Sequence, residues 1–408
     1  MVKITRFALA FAALASLAHA EWVAIGPDGG TVNALALDPQ QPATLYALPY
    51  EYPDNPRVFK TTNGAAGWTS VGRLPDLNVT RLAVDPHQSS YLYGLSSTAV
   101  WRSTDGGASW SSYTLSATAQ GLAADPLVAG RLFVSGYSYT TYPKPVVVVS
   151  TDYGESWSQV VLSEDTSYAY CVEFDPVHEG VVYVGGYPGT VYKTTDAGAN
   201  WTSASGGLPA TGAVQDLAVN PGNPEIILGA GSDGCYRTSD AGVSWRKVGA
   251  MSSAFDAAMS AANPALAYCL GYDTAPCLYV STDSGATWTY QPGNVQQSKG
   301  GSLITDPTNG DIVYSPGGAG VMKTADRGAH WVPANGGIRI ATISTISTSP
   351  WDMGNVYVEC YSNAVFRSTS AGDTWTRCEY FLSCGNICGI GLAPGTEADV
   401  LWALEGSG

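Results

Sequence analysis

A turn that ends in tryptophan returns eight times along this chain at nearly constant spacing, and nothing else in the sequence constrains the fold as tightly. The clearest copy is Ser103-Thr104-Asp105-Gly106-Gly107-Ala108-Ser109-Trp110. The pattern Ser/Thr-x-Asp-x-Gly-x-Ser/Thr-Trp recurs at Ser150 to Trp157, Thr238 to Trp245 and Ser281 to Trp288. Looser copies run from Thr61 to Trp68, Thr194 to Trp201, Thr324 to Trp331 and Ser368 to Trp375. The eight tryptophans stand 42, 47, 44, 44, 43, 43 and 44 residues apart. A period of this size marks a unit that cannot bury its apolar face alone and must stack on its neighbours.

A second element precedes each box: an apolar strand, an x-Pro turn and another apolar strand. Leu35-Ala36-Leu37-Asp38-Pro39 leads to Leu45-Tyr46-Ala47, and Leu82-Ala83-Val84-Asp85-Pro86 leads to Leu92-Tyr93-Gly94. Each period therefore reads strand A, Pro turn, strand B, loop, strand C, box turn, strand D, and four short strands per period make one propeller blade. With 47 Gly, 24 Pro and only 13% charged residues, the composition favours short strands and tight turns over helices. The expected fold is all-β, a single β-propeller of eight or nine four-stranded blades with box turns. It fills residues 21–408, because even spacing leaves no room for a linker. The ninth blade would combine a lone strand D at Glu21–Gly26 with two strands between Ile387 and Leu404.

The box residues have local work to do. The Asp carboxylate accepts hydrogen bonds from its own turn, the Gly permits a conformation that other residues resist, and the Trp packs into the following sheet. Asp105, Asp152, Asp196, Asp240, Asp283 and Asp326 are accordingly read as structural, since one active site does not need six copies. The same reading covers the basic residues that recur just before the boxes, such as Lys60, Lys193 and Lys323.

These turns resemble the Asp-box, or BNR repeat, of sialidases, sortilin-type receptor ectodomains, xyloglucanase-like glycoside hydrolases and photosystem assembly propellers. The resemblance covers essentially all of residues 21–408 and implies a β-propeller while leaving activity open. Sialidases carry an Arg-Ile-Pro signature near the start; here Arg339-Ile340 comes late and is followed by Ala341. A sortilin-like receptor would continue into a cysteine-rich module and a membrane span. Xyloglucanase-like enzymes share both the x-Pro turn and the box, although they usually carry two propellers.

Residues 1–20 read as a secretory signal: Lys3 and Arg6, an apolar run from Phe7 to Leu17, then Ala18-His19-Ala20 before Glu21. A secreted or periplasmic location is expected, with no membrane span. The formal net charge of -15 argues against nucleic acid, whose phosphates need a basic face. Eight cysteines in an exported chain suggest disulfides. Cys269 and Cys277 are equidistant from Asp273 in an apparent hairpin and are expected to be bonded. Cys360, Cys378, Cys384 and Cys388 are expected to be further staples. With only four His and no paired Cys-x-x-Cys, no metal site is expected, and no cofactor either.

Strand direction alternates within a blade, so Pro turns and boxes lie on one face of the propeller and the B–C and D–A loops on the other. The second face varies in content and is the expected functional face. Its loops carry Tyr50, Tyr52, Tyr137, Tyr139, Tyr142, Tyr187, Tyr272 and Tyr361, whose rings suit sugar or protein ligands. Asp233 and Asp273 occupy corresponding loops of adjacent blades, and two such carboxylates serve glycosidic cleavage when about 5 to 9.5 Å apart. Glu51 and Asp54 share the first-blade loop. Two functions follow as expectations. The first is a monomeric, non-enzymatic propeller that binds polysaccharide or a protein partner through this face. The alternative is a glycoside hydrolase, xyloglucanase-like or sialidase-like, that uses a carboxylate pair there.

Overall fold

The computed structural model describes residues 29–51, 55–139, 142–163, 165, 167–272, 276–291, 303–317, 320–338, 343–348, 355–360, 364–370, 375–378, 386–392 and 401–406. Every regular element among them is a strand. Eight four-stranded antiparallel sheets follow one another in the order A-B-C-D, and a hairpin of Asn386–Leu392 with Leu401–Gly406 comes last. The strands A of the first seven blades are Val32–Leu37, Arg81–Val84, Thr118–Ala124, Tyr168–Phe174, Val214–Val219, Ser253–Met259 and Ile304–Thr305. That of blade 8 is Ile343–Thr348.

Burial is greatest in strands B and least in strands D. Strands B such as Leu45–Pro49 and Ile227–Gly231 are buried throughout, whereas the strand D Ser111–Thr114 is exposed throughout. Short, hydroxyl-rich outer strands blunt the sheet edges. The core lies between blades, where rings such as Phe133 and Phe174 meet edge-on at 5.2 Å.

Both repeated turns are closed by side-chain acceptors. In the Pro turn, Asp85 Oδ1 accepts the amides of His87 (2.9 Å) and Gln88 (3.0 Å), and Asp38, Asp125, Asp175, Asn220 and Asp306 repeat the motif. In the box, Asp152 Oδ1 accepts the Ser156 amide (2.9 Å) and the Ser150 hydroxyl (2.8 Å), while Oδ2 accepts the Ser156 hydroxyl. The two residues after the acid both take positive φ, 60° at Tyr153 and 82° at Gly154. In the first box, where Ala65 replaces the glycine, it still adopts 67°. The basic residue before the box lies over a strand-B tyrosine: Lys60 on Tyr46, Lys193 on Tyr183 and Lys323 on Tyr314, each 5.2 Å from the ring centre.

The eight four-stranded sheets are those counted from the repeats; which sheets meet is settled by packing. Blade 1 shares one core with blade 7, Phe59 and Trp68 clustering with Tyr314, Val321 and Ile338. Trp68 donates its indole N–H to Ala334 O (2.8 Å) and its amide to Gly336 O, while the Lys323 ammonium reaches Gly64 O. The consecutive blades 4 and 5 make the same contacts. Trp245 donates to Ala204 O (2.8 Å) and Gly206 O, and the Lys193 ammonium reaches Ala241 O. Ala204-Ser205-Gly206-Gly207-Leu208 and Ala334-Asn335-Gly336-Gly337-Ile338 are the matching segments. The circle thus closes through seven sheets by an ordinary blade-to-blade contact. Blade 8 follows it and packs against the terminal hairpin. The lone strand expected at Glu21–Gly26 lies outside the described residues.

The expected Cys269–Cys277 disulfide is not formed. The hairpin pairs Tyr272 with Pro276, so Cys277 faces Gly271 and Cys269 faces Tyr279. The centre of the turn is one residue beyond Asp273, and that shift moves the two thiols from opposite to diagonal positions on the same face. Both are buried and in no disulfide, as are Cys171 and Cys235, and Cys378 is likewise in no disulfide rather than a staple. Cys384 and the side chains of Cys360 and Cys388 lie outside the described residues.

Candidate functional site

The variable face carries a connected group of tyrosines where blades 3 and 4 meet. Tyr137 and Tyr139 end strand B of blade 3 (Leu132–Tyr139), Tyr187 ends strand B of blade 4 (Val182–Tyr187), and Tyr168 and Tyr170 begin strand A of blade 4. Opposite chain directions bring these strand ends to one rim. Ring centres lie 5.8 Å apart for Tyr137–Tyr139, 4.9 Å for Tyr137–Tyr168, 6.0 Å for the stacked Tyr168–Tyr170 and 6.2 Å for Tyr168–Tyr187. Tyr139 is 67% exposed and Tyr187 41%. A hydrogen bond with the Tyr139 hydroxyl raises the Tyr168 phenol above its ordinary value. The rings form an open platform with few charges, the kind of surface on which the C–H faces of sugars rest.

From this rim a channel of about 840 Å³ leads inward, lined by the strands A of blades 1 to 6. In blades 3 to 6 a β-bulge interrupts the same register of strand A. A bulge lets consecutive side chains share one face of a strand. Here it brings the pairs Gln120–Gly121, Tyr170–Cys171, Gln215–Asp216 and Phe255–Asp256 to the channel wall. Arg81 of blade 2 stands at the same level, and Glu173 lies deeper along blade 4.

Burial raises all three channel carboxyls above their ordinary values. Burial pushes Glu173 up to about 8, the Asp216 charge adding to the effect and the Val219 amide opposing it. Burial lifts Asp216 to about 6, moderated by the Ala257 amide, which donates to Oδ2 at 3.0 Å, and by Arg81. Asp256 is raised well above the usual range by burial and by the neighbouring Asp216. Its Oδ2 accepts the Leu303 amide at 2.9 Å, and its carboxyl shares a side-chain hydrogen bond with Asp216.

The family model Sortilin-Vps10, described as sortilin, neurotensin receptor 3, matches residues 146–276. A xyloglucanase of Paenibacillus sp is 25% identical over 324 residues, 61% of this chain and 31% of the relative. A probable oligoxyloglucan-reducing end-specific xyloglucanase of Neosartorya fischeri is 31% identical over 214 residues, 46% of this chain and 25% of the relative. The chain spans about a third or less of the length of these relatives. Among solved structures, the GH74 xyloglucanase from Xanthomonas campestris superposes with a TM-score of 0.64 at 15% identity, covering 90% of this chain and 70% of that one. The chain is an Asp-box β-propeller.

The box carboxylates of this propeller are bonded within their own turns. The Ser109 hydroxyl and amide hold Asp105 down at about 2, and Asp152, Asp240, Asp283 and Asp326 are held there by equivalent bonds. Asp196 is lowered the same way by Asn200.

Of the expected ligand residues, Tyr137, Tyr139 and Tyr187 belong to the platform. Tyr142 is exposed on blade 3, and Tyr50 and Tyr272 are exposed on blades 1 and 6 without joining another ring among the described residues. Tyr52 and Tyr361 lie outside the described residues. So do Asp273 and Asp54, and the expected Asp233–Asp273 separation lies there with them. Asp233 sits in the turn between Ile227–Gly231 and Gly234–Thr238. Its Oδ2 accepts the Tyr236 hydroxyl at 2.7 Å, Oδ1 is buried without a partner, and its carbonyl receives the Lys247 ammonium. Glu51 is held by the Arg57 amide and guanidinium at 2.6 and 2.7 Å. Among the described residues no group of three or more His, Cys, Asp or Glu is arranged to hold a metal ion, and no helix is long and apolar enough to cross a membrane.

Sequence reasoning missed Tyr168, Tyr170 and the channel acids. The signal lay in aligning the repeats. Glu173 occupies the column, two residues before the Pro-turn residue, that is filled elsewhere by Ala36, Ala83, Ala123, Ala218 and Ala258. Asp216 and Asp256 fill the column that holds Ala34, Gly121 and Cys171 in other blades.

Proposed function

We propose that this propeller is an exported glycoside hydrolase of the xyloglucanase type. A neutral β-glucan lies across the tyrosine platform, and its glycosidic bond is cleaved by Asp233 and Asp273. The platform is the observation that carries the reading, since five joined, partly exposed tyrosines with few charges match the apolar faces and hydroxyl edges of pyranose rings. The likeness to xyloglucanases supports the substrate class. Asp233 would serve as one member of the acid and base pair, oriented by the Tyr236 hydroxyl bonded to its Oδ2.

A second reading, glycan binding without cleavage, is favoured by the placing of the platform on blades 3 and 4 while Asp233 and Asp273 belong to blades 5 and 6. Reducing-sugar release from xyloglucan, measured beside binding, separates the two. Hydrolysis predicts release by the parent, a loss of about a hundredfold or more in Asp233→Asn and Asp273→Asn, and retained binding in both. Binding that disappears in Tyr139→Ala and Tyr168→Ala, with no release by the parent, leaves only the second reading.

A further inference from the structure

We propose that Cys235 and Cys269 form a stabilising disulfide that joins blade 5 to blade 6. The inference does not use the glycan reading and stands on the repeat itself. The residue three before the end of strand C is valine in blades 1 to 4 and 7, leucine in blade 6 and Cys235 in blade 5. The third residue of strand B is Ala47, Gly94, Val134, Val184, Gly229 or Ser315 in other blades and Cys269 in blade 6. These two positions meet across the junction between one blade and the next. Val100 shares a core with Val134, Val147 with Val184, and Val321 with Ala47. Between blades 5 and 6 the corresponding core holds Cys235 and Cys269. Each cysteine is an exception to its own column, and the two exceptions face each other.

The two thiols are already in contact. Both side chains are fully buried, and they share a hydrogen bond. Cys277 is the competing partner for Cys269, and register sets it aside. It lies diagonal to Cys269 across the hairpin, a position about 7 to 8 Å away between Cα atoms and beyond the usual reach of a disulfide. Oxidation turns the two thiols into one S–S bond. Two protons go to solvent, and two electrons reduce a disulfide donor, such as oxidised glutathione, to two thiols. The exchange needs a thiolate, whereas the Cys235 hydrogen bond and burial raise the Cys269 thiol well above its ordinary value. The bond therefore forms in the folding chain, before blades 5 and 6 close on each other, and once formed it is shielded from reductants. Cys235 stands two residues beyond Asp233, so the same bond ties the turn that carries Asp233 to blade 6.

The test uses the full chain, folded in a glutathione buffer that supplies the disulfide donor, then alkylated without reduction and cleaved to peptides. The map is expected to contain the Cys235 peptide joined to the Cys269 peptide, with Cys277 recovered as an alkylated thiol. The bond should survive dithiothreitol added to the folded protein and open when the same reductant is added in urea. Cys235→Val and Cys269→Ala place the residues of other blades at this junction, and they should fold without the bond. At a fixed urea concentration, the unfolding equilibrium constant of either variant, and of the parent kept reduced, is expected to exceed that of the oxidised parent roughly a hundredfold. Where a variant does not fold, the parent with and without reductant supplies the same comparison. Cys235 and Cys269 both recovered as alkylated thiols from the folded, oxidised parent, or either of them joined to Cys277, overturns the disulfide. Equal urea midpoints for the oxidised and reduced parent overturn its stabilising role.

Discussion

Glu173→Gln tests whether the channel wall stores a buried proton. Glu173 replaces an alanine of the repeat and is held at about 8 against an ordinary 4.5. Below pH 4.5 the folded and unfolded chains both carry the proton. As pH rises from 4.5 toward 8, the unfolded chain releases it while the fold retains it, so stability falls; above 8 both are ionised and the loss is complete. One pH unit is worth 1.36 kcal/mol per proton, and the full displacement therefore corresponds to a loss on the order of 5 kcal/mol. Asp216, at about 6, titrates mostly below pH 6.5, and Asp256, also raised, is present in both proteins, so the difference between parent and variant isolates Glu173. From pH 6.5 to 8 the parent should lose about 2 kcal/mol that the glutamine variant keeps. Urea unfolding of both proteins at pH 6.5, 7.2 and 8 measures it, as a midpoint that drifts downward in the parent and much less in Glu173→Gln. The variant should also be the more stable protein at pH 8. Parallel midpoints across the window would show that Glu173 ionises freely in channel water, and the account of the buried acids would be wrong.

Two further outcomes concern the scaffold. Asp240→Ala removes the acceptor for the Ser244 amide (2.8 Å) and the Thr238 hydroxyl (2.6 Å) and should cost about 1 to 2 kcal/mol by thermal unfolding, with binding of xyloglucan unchanged. Because the box carboxyl is held at about 2 against 3.8, its stabilisation is present above 3.8 and should disappear as the pH falls through about 2. Trp68→Phe and Trp245→Phe each lose an indole hydrogen bond to the preceding blade, and equal costs of about 1 to 2 kcal/mol are expected. A silent Trp68→Phe beside a costly Trp245→Phe would mean that blades 7 and 1 do not close the circle as described.

The blades were legible because their determinants are local and repeated. An Asp that accepts from its own turn, and a Trp at a fixed offset, leave the same mark in every copy, so eight sheets follow from spacing alone. Closure at the seventh blade was not legible by counting, since every copy offers a similar edge to its neighbour. It could have been found in one detail, the Ala-x-Gly-Gly-Leu/Ile segment shared by residues 204–208 and 334–338, which receives Trp245 in one case and Trp68 in the other. The cysteine pairing failed for a sharper reason. In a hairpin the partner of each residue depends on the centre of the turn, and a shift of one residue converts opposition into a diagonal. The tyrosine rim was half legible, because loop tyrosines announce themselves, while Tyr168 and Tyr170 sit inside what reads as a strand. The channel acids were hidden by the same repetition that revealed the fold. When attention goes to what every blade shares, an acid in a column of alanines looks like noise. In a closed ring, however, those columns converge on one axis, so the departures of single blades are brought together at its centre. Each of Glu173, Asp216 and Asp256 is an isolated exception in the sequence, and only the circular arrangement makes them neighbours.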